Sequence, residues 1–196
     1  MTIGVLYGGE LALQRLVDFH KAKVNLQVMD SAETKLDALL KEERPNFKKL
    51  QRCIAKMEMS GKETHAVMKL EAASREAYSK GKPHEAYEFD MLLVETLIYQ
   101  GEFNKALSYK CLKDEFIKDA RRPLYKAIIY LSLGDSTMGE ACWNKFTQIR
   151  EELKRSRNLK DAQLLDISSD FLKFDTVVKA LKKDIQEVIR KAKKNK

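Results

Sequence analysis

Residues that break regular structure are scarce, with 8 glycines and 3 prolines among 196 positions. Collagen-like and linker-rich architectures are therefore excluded. A sandwich of many short strands, which needs turn residues every roughly 8–12 positions, is disfavoured. Long apolar runs are missing too: no uninterrupted stretch approaches the ~18 residues of a membrane-crossing helix. Cysteine is limited to Cys53, Cys111 and Cys142, an odd number spaced 58 and 31 residues apart. Such a set makes neither a disulfide framework nor a zinc site, and each thiol is expected to pack reduced among apolar neighbours. Histidine is limited to His20, His65 and His84. His84-Glu85-Ala86-Tyr87-Glu88 lacks the second imidazole at i+4 that would close on a metal. Gly61-Lys62-Glu63 lacks the upstream glycine and the Ser/Thr of a phosphate loop, and neither a dinucleotide turn nor a serine elbow is present. No catalytic residue, cofactor or metal is expected, and the chain reads as a non-enzyme. Met1–Glu10 has no basic start for a secretory signal, Thr2 rules out myristoylation, and no Asn-x-Ser/Thr sequon occurs, so an intracellular location, cytoplasmic or nuclear, is expected.

Hydrophobic residues make up 44% of the chain and charged ones 34%, a balance that supports a packed core rather than disorder. The net charge is +8 and unevenly spread. Eight cations against two anions from 179 to 196 leave that segment at +6, and the remaining 178 residues at +2. This basic helix end, with Lys182, Lys183, Arg190, Lys191, Lys193 and Lys194, has three readings. It can be a solvated helix terminus complementing the helix dipole, a binder of nucleic acid or acidic membrane, or an import signal. No aromatic lies among the cations to stack on a base.

Nearly every segment repeats at helical period. Leu13, Leu16, Val17, His20 and Val24 mark a helix within 9–28. Asp30-Ser31-Ala32-Glu33 reads as a capping box before Leu36, Leu39 and Leu40. Pro45 suits the first turn of a helix bearing Phe47, Leu50, Ile54 and Met57. Ser60-Gly61-Lys62-Glu63 is a second capping box, followed by Val67, Leu70, Ala73 and Ala77. The helix around 84–100 is apolar on most of its circumference, with Tyr87, Met91, Val94, Ile98, Leu92, Leu93 and Leu97. Phe103, Ala106, Leu107 and Phe116 are expected to continue the pattern. Arg121-Arg122-Pro123 opens another helix, and Gly134-Asp135-Ser136 turns into one bearing Met138, Cys142, Phe146, Ile149 and Leu153. Leu164, Ile167, Phe171 and Phe174 mark a penultimate helix; Val178, Leu181, Ile185, Val188 and Ala192 mark the last. The expected class is all-α, about nine helices stacked as antiparallel pairs in one domain spanning 1–196 and ordered over roughly 9–192.

Three turns look alike: Gly81-Lys82-Pro83-His84-Glu85-Ala86, Gly101-Glu102-Phe103-Asn104-Lys105-Ala106 and Gly134-Asp135-Ser136-Thr137-Met138-Gly139. Each sets a glycine at a helix end and a small residue five positions later. Gly101, Phe103 and Ala106, then Ala127, Tyr130, Gly134, Gly139 and Trp143, fall on positions of the tetratricopeptide repeat pattern. Over residues 63–157 the chain resembles that superfamily, which implies stacked helical pairs and, by analogy, a protein-binding scaffold or adaptor. Two features depart from the pattern. The step from Gly81 to Gly101 is 20 residues, and Lys110 and Lys113 stand where the family prefers an aromatic and an alanine. The stretch from Tyr125 to Trp143 is also similar to the late helices of soluble vesicle-fusion adaptors.

Function is expected to be presentation of a helical groove to a protein or peptide. Candidate contacts are Tyr87, Tyr99, Phe103 and Tyr109 from the aromatic middle of the chain, with Arg121, Arg122, Tyr125 and Lys126 at one rim as anchors for an acidic segment. The surplus apolar surface of the 84–100 helix must be covered by the fold, by self-association or by a partner. The alternative is a basic-tail binder of nucleic acid or acidic lipid.

Overall fold

A computed structural model of the chain describes residues 7–18, 29–58, 63–157 and 170–194. These residues are all-α, with nine α-helices, one 3-10 turn and no strand among them. In chain order the helices are α1 (Glu10–Asp18), α2 (Met29–Leu40), α3 (Phe47–Glu58), α4 (Glu63–Ser79) and α5 (Pro83–Tyr99). They continue with α6 (Phe103–Ser108), the 3-10 turn Lys110–Leu112, α7 (Arg121–Leu133), α8 (Ser136–Arg157) and α9 (Phe171–Lys194). Contacts gather the chain into two compact units. A split unit joins Met1–Lys21 to Leu112–Lys196, and a continuous unit comprises Ala22–Cys111.

The three look-alike turns share one backbone solution. Gly81, Gly101 and Gly134 have φ of +66°, +78° and +93°, a region that glycine enters without a Cβ penalty. In each, the glycine N–H donates to the carbonyl three residues back, and the next N–H donates to the carbonyl five residues back: Lys82 to Ala77, Glu102 to Leu97, Asp135 to Tyr130. This paired C-terminal lock satisfies carbonyls that a helix end leaves open. Connections this short force α4 and α5, and likewise α7 and α8, to run antiparallel, and these are the two most extensively touching pairs. The small residue five positions on has a packing reason. Ala86 and Ala106 are completely buried, and a Cβ added to Gly139 would stand 2.7 Å from Cγ and Cδ2 of Leu131.

In the continuous unit, α5 is buried from Ala86 to Tyr99 and packs on α3, α4 and α6. The fold thus covers the surplus apolar surface of this helix. Edge-on packing of Phe47 against Phe89, centroids 5.3 Å apart, joins α3 to α5. Inside the same core, Gln51 donates from Nε2 to both carboxylate oxygens of Glu95 at 2.9 Å, and the Cys53 thiol donates to the Ala32 carbonyl at 3.0 Å. The three cysteines carry thiols, buried at Cys53 and Cys111 and half-buried at Cys142.

The split unit closes α1, α7, α8 and α9 around Leu13, Leu16, Leu124, Ile128, Phe146 and Phe174. Trp143 stacks on Phe174 at 4.1 Å between centroids and tilts against Phe146 at 5.1 Å. Two backbone ties fix the residues before α1: Ala120 N–H donates to the Tyr7 carbonyl at 2.7 Å, and Arg150 donates to the Gly8 carbonyl at 3.3 Å.

Several expected boundaries shift. Pro45 lies two residues before α3 instead of in its first turn. Asn46 caps that helix, its Oδ1 accepting from Lys49 N–H at 3.1 Å. Phe116 belongs to no helix, because α6 stops at Ser108, where Tyr109 turns extended (φ −66°, ψ 137°). The two expected C-terminal helices are one from Phe171 onward, capped by Asp170, whose Oδ1 accepts from Leu172 N–H at 2.9 Å. Phe174, Val178, Leu181 and Ile185 share its buried stripe without a break. Asp30, expected to cap a helix, lies inside α2, which already includes Met29. His20, Val24, Leu164, Ile167 and the start of the second expected capping box, Ser60 to Lys62, lie outside the residues described.

Candidate functional site

The continuous unit holds an open cleft of about 530 Å³ where the C-terminal end of α4, the middle of α5 and the end of α6 meet. Tyr78, Asp90, Lys105, Ser108, Tyr109 and Lys110 line it. Turn chemistry places them. The lock at Gly81 returns the chain so that α5 brings Asp90 beside Tyr78, and the extended Tyr109 carries Lys110 out of α6. Asp90 is buried, and its two oxygens accept from Ser74 Oγ at 2.6 Å and Tyr78 hydroxyl at 3.0 Å. Burial raises its pKa, and the two hydrogen bonds oppose the rise. Tyr109 is pushed up to about 12 by burial, with the carboxylates of Glu71 and Asp90 adding to the effect. Lys105 pairs with Glu71 at 3.3 Å, and Lys110 is exposed. The result is a cleft lined by an exposed phenol at Tyr78, a half-buried one at Tyr109 and the hydrogen-bonded Asp90 carboxyl, with Lys105 and Lys110 exposed beside them.

Of the residues singled out in the sequence, the cleft gathers only Tyr109. Tyr87 and Tyr99 are buried in α5, Tyr125 is buried in α7, and Phe103 is half-buried at the start of α6. Arg121 and Arg122, expected at one rim, are buried at 2% and 4% exposure, and neither lines the cleft. Asp119 supplies the counter-charge for Arg121: Nη2 meets Oδ2 at 2.6 Å, Nε reaches both oxygens, and the guanidinium lies 5.1 Å from the Tyr7 ring centre. Arg122 turns back onto the preceding loop and donates to the carbonyls of Asp114 and Ile117. Its other face, with half-buried Lys126, lines a smaller notch of about 180 Å³ beside Glu115, Cys142 and Lys145. There Lys145 and Glu115 pair at 3.0 Å, and Lys145 holds the Glu115 carboxyl below its usual range. Burial raises the Cys142 thiol, outweighing the nearby lysines.

Sequence periodicity missed the loop over 113–120. Phe116 stands at its crest, 102% exposed. Ties on both sides hold that crest in place. Phe116 N–H donates to Asp114 Oδ1 at 3.0 Å, Arg122 clamps two loop carbonyls, Glu115 pairs with Lys145, and Lys118 pairs with Glu152 at 2.5 Å. The signal was present: Lys113 and Asp119 flank Phe116 at i−3 and i+3, where a buried helical position would carry apolar neighbours.

On α9, Lys183 and Arg190 are exposed and Lys182 is half-buried; Lys191, Lys193 and Lys194 continue the helix, their side chains outside those described. Leu181 and Ile185 on the same helix are core residues, so the basic segment is the outer face of a structural element. No described helix is long and apolar enough to cross a membrane, and among the described residues no three His, Cys, Asp or Glu side chains are placed to hold a metal. Comparison with protein-family models, curated proteins and solved structures returns no match.

Proposed function

We propose that this chain is a non-catalytic interaction module, an adaptor that takes a segment of a protein partner into the cleft of the continuous unit. The observation that carries the reading is the composition of that cleft: Tyr78 and Tyr109 offer ring surface, Asp90 and Ser108 offer hydrogen bonding, and Lys105 and Lys110 offer charge at the mouth. Amphipathic rings beside a few polar groups are how peptide grooves combine buried area with orientation. The oxygens of Asp90 are engaged by Ser74 and Tyr78, and the Tyr109 phenol keeps its proton at neutral pH, so these groups suit binding better than proton transfer. The repeated lock-and-small-residue turns support the tetratricopeptide-like reading of the scaffold. The three thiols fit an intracellular location.

The basic outer face of α9, with exposed Lys179, Lys183 and Arg190, supports a second reading as a polyanion-binding surface. One capture experiment separates the two. Extract is passed over the wild type, over Lys105→Glu/Lys110→Glu and over Lys183→Glu/Arg190→Glu, with thermal melts confirming that all three are folded. Partners lost with the cleft variant and kept by the α9 variant are expected. The opposite pattern overturns the cleft reading in favour of α9.

A further inference from the structure

The last helix carries its apolar stripe past the end of the core it packs on. On α9, Phe174, Val178, Leu181 and Ile185 share one face by their 4-3-4 spacing and are buried to 3% exposure or less. Val188 and Ile189 stand three and four residues beyond Ile185 and so continue that face, yet they are 59% and 39% exposed. In the same turns the charge becomes one-sided. From 179 to 187 three lysines meet two carboxylates, Asp184 and Glu187, and Lys179 is already paired with Asp175 at 2.5 Å. From 188 to 196 there are five cations, Arg190, Lys191, Lys193, Lys194 and Lys196, and no carboxylate. Arg190 is exposed, and no ion pair engages it among the described residues. We infer that the turns of α9 from Val188 onward lie on an anionic lipid surface, with Val188 and Ile189 seated where headgroups give way to acyl chains and the cations among the headgroups. This occupant narrows the polyanion-binding reading of α9, on which it rests.

An acidic bilayer is the surface that uses both halves of this chemistry. A helix lies in the membrane interface when one face is apolar and the remainder basic, and its affinity sums buried apolar area with attraction to anionic lipid. Lysine and arginine beside the apolar line keep their charges in the headgroup layer while their stems cover apolar surface. Nucleic acid uses only the cations. Val188 and Ile189 would stay in water against a phosphate backbone, and no aromatic residue lies from 179 to 196 to stack on a base. A second copy fits worse still, because two segments of +5 would be brought together. Leu181 and Ile185 hold the same helix in the core of the split unit, so the segment is presented on a folded element and little ordering is needed on contact.

Two apolar side chains and five cations make a peripheral, reversible contact. Each cation near an anionic surface multiplies the partition coefficient by roughly five, so binding depends steeply on lipid charge and on salt.

Sedimentation of the full chain with vesicles tests the inference, using phosphatidylcholine alone and an equal mixture of phosphatidylcholine and phosphatidylserine, with retention on heparin measured beside it. Binding to the mixed vesicles and none to the neutral ones is expected. Val188→Gln/Ile189→Gln keeps every charge and every buried residue of the helix. It is expected to lower vesicle partition by about tenfold or more and to leave heparin retention unchanged. Arg190→Gln/Lys191→Gln/Lys194→Gln is expected to lose about a hundredfold on the same vesicles and to leave heparin at lower salt. Thermal melts check that both variants stay folded. Heparin retention without vesicle binding overturns the lipid assignment and leaves α9 a general polyanion surface. So does a Val188→Gln/Ile189→Gln protein that binds vesicles as the wild type does. Failure to bind vesicles and heparin alike removes the polyanion reading as well. The cleft is judged separately, by the capture experiment.

Discussion

At Asp90 two effects of opposite sign meet. Burial favours the protonated carboxyl, the hydrogen bonds from Ser74 and Tyr78 favour the carboxylate, and burial is the larger, so the folded value exceeds the ordinary 3.8. In the window just above 3.8 the folded chain therefore holds more protons than the unfolded one, and this residue's contribution to stability falls as pH rises. Tyr109 repeats the pattern at the alkaline end, where the unfolded phenol ionises near 10.0 and the folded one near 12. Between those values the folded chain again holds the extra proton, and stability again falls as pH rises. The expected outcome is that Asp90→Asn makes the slope just above pH 3.8 more positive and Tyr109→Phe flattens the alkaline fall, read as urea midpoints against pH. Profiles parallel to the wild type would contradict the cleft electrostatics. Neither residue advertised this behaviour in the sequence, since Asp90 reads as one of several carboxylates on a solvated face. What buries it is the return of α4 against α5, with Ser74 and Tyr78 sixteen and twelve residues away. Arg121 was misread for a related reason. Its counter-ion, Asp119, stands only two residues earlier, and only a bend before α7 folds the pair inward.

Among the elements, the turns were the most legible. The glycines at 81, 101 and 134 were marked by spacing alone, and each closes its helix in the same way. The small residue after each is a packing requirement, which makes Gly139 the informative position. Alanine there gains roughly 1 kcal/mol of helix propensity over glycine. It also pushes a methyl into Leu131 at 2.7 Å, and overpacking of this kind costs about 1–3 kcal/mol. The clash involves Cγ as well as a terminal methyl, so it outweighs the propensity gain, and Gly139→Ala is expected to lower the urea midpoint. In a Leu131→Ala background the obstacle is gone, and the same substitution should become stabilising. A sign that does not change between the two backgrounds would remove close approach as the reason for the glycine. Less of α6 and α9 was legible. Apolar spacing alone ran α6 on to Phe116, because periodicity does not register a chain turning extended at Tyr109. It also assigned Phe171 and Phe174 to one helix and Val178, Leu181 and Ile185 to the next, although Phe174, Val178, Leu181 and Ile185 form one stripe. Removing residues from 179 onward would therefore take core side chains with the cations, and only charge reversal on the exposed face isolates the charge.

Over the whole molecule, the all-α class followed from scarce breakers and helical period, but the grouping of helices did not. Periodicity is local, and nothing in the order of elements announces that α1 packs with α7, α8 and α9, a partnership across more than a hundred residues of sequence. The tertiary reasons are single atoms and rings. The Tyr7 and Gly8 carbonyls are met by Ala120 and Arg150, and Gly9, at φ +72°, lets Phe146 approach within 3.1 Å of where its Cβ would stand. Leu13 and Leu16 then complete the interior with no exposure to speak of. Truncating a buried leucine to alanine costs about 2–5 kcal/mol, so losing both with their backbone ties removes at least that much from the split unit. Trp143, the sole tryptophan, lies in that unit against Phe174 and reports on it alone. Deleting residues 1–18 is expected to lower the urea midpoint seen by Trp143 fluorescence and to erase slow amide exchange in α7 and α8. Slow exchange should persist in α3, α4 and α5, whose unit is continuous in sequence and carries its own core of Leu50, Ile54, Met57, Leu70, Leu93 and Leu97. An unchanged Trp143 midpoint would mean that α1 is an ornament on a unit already complete without it, and simultaneous loss of protection in both units would mean that the chain unfolds as one body.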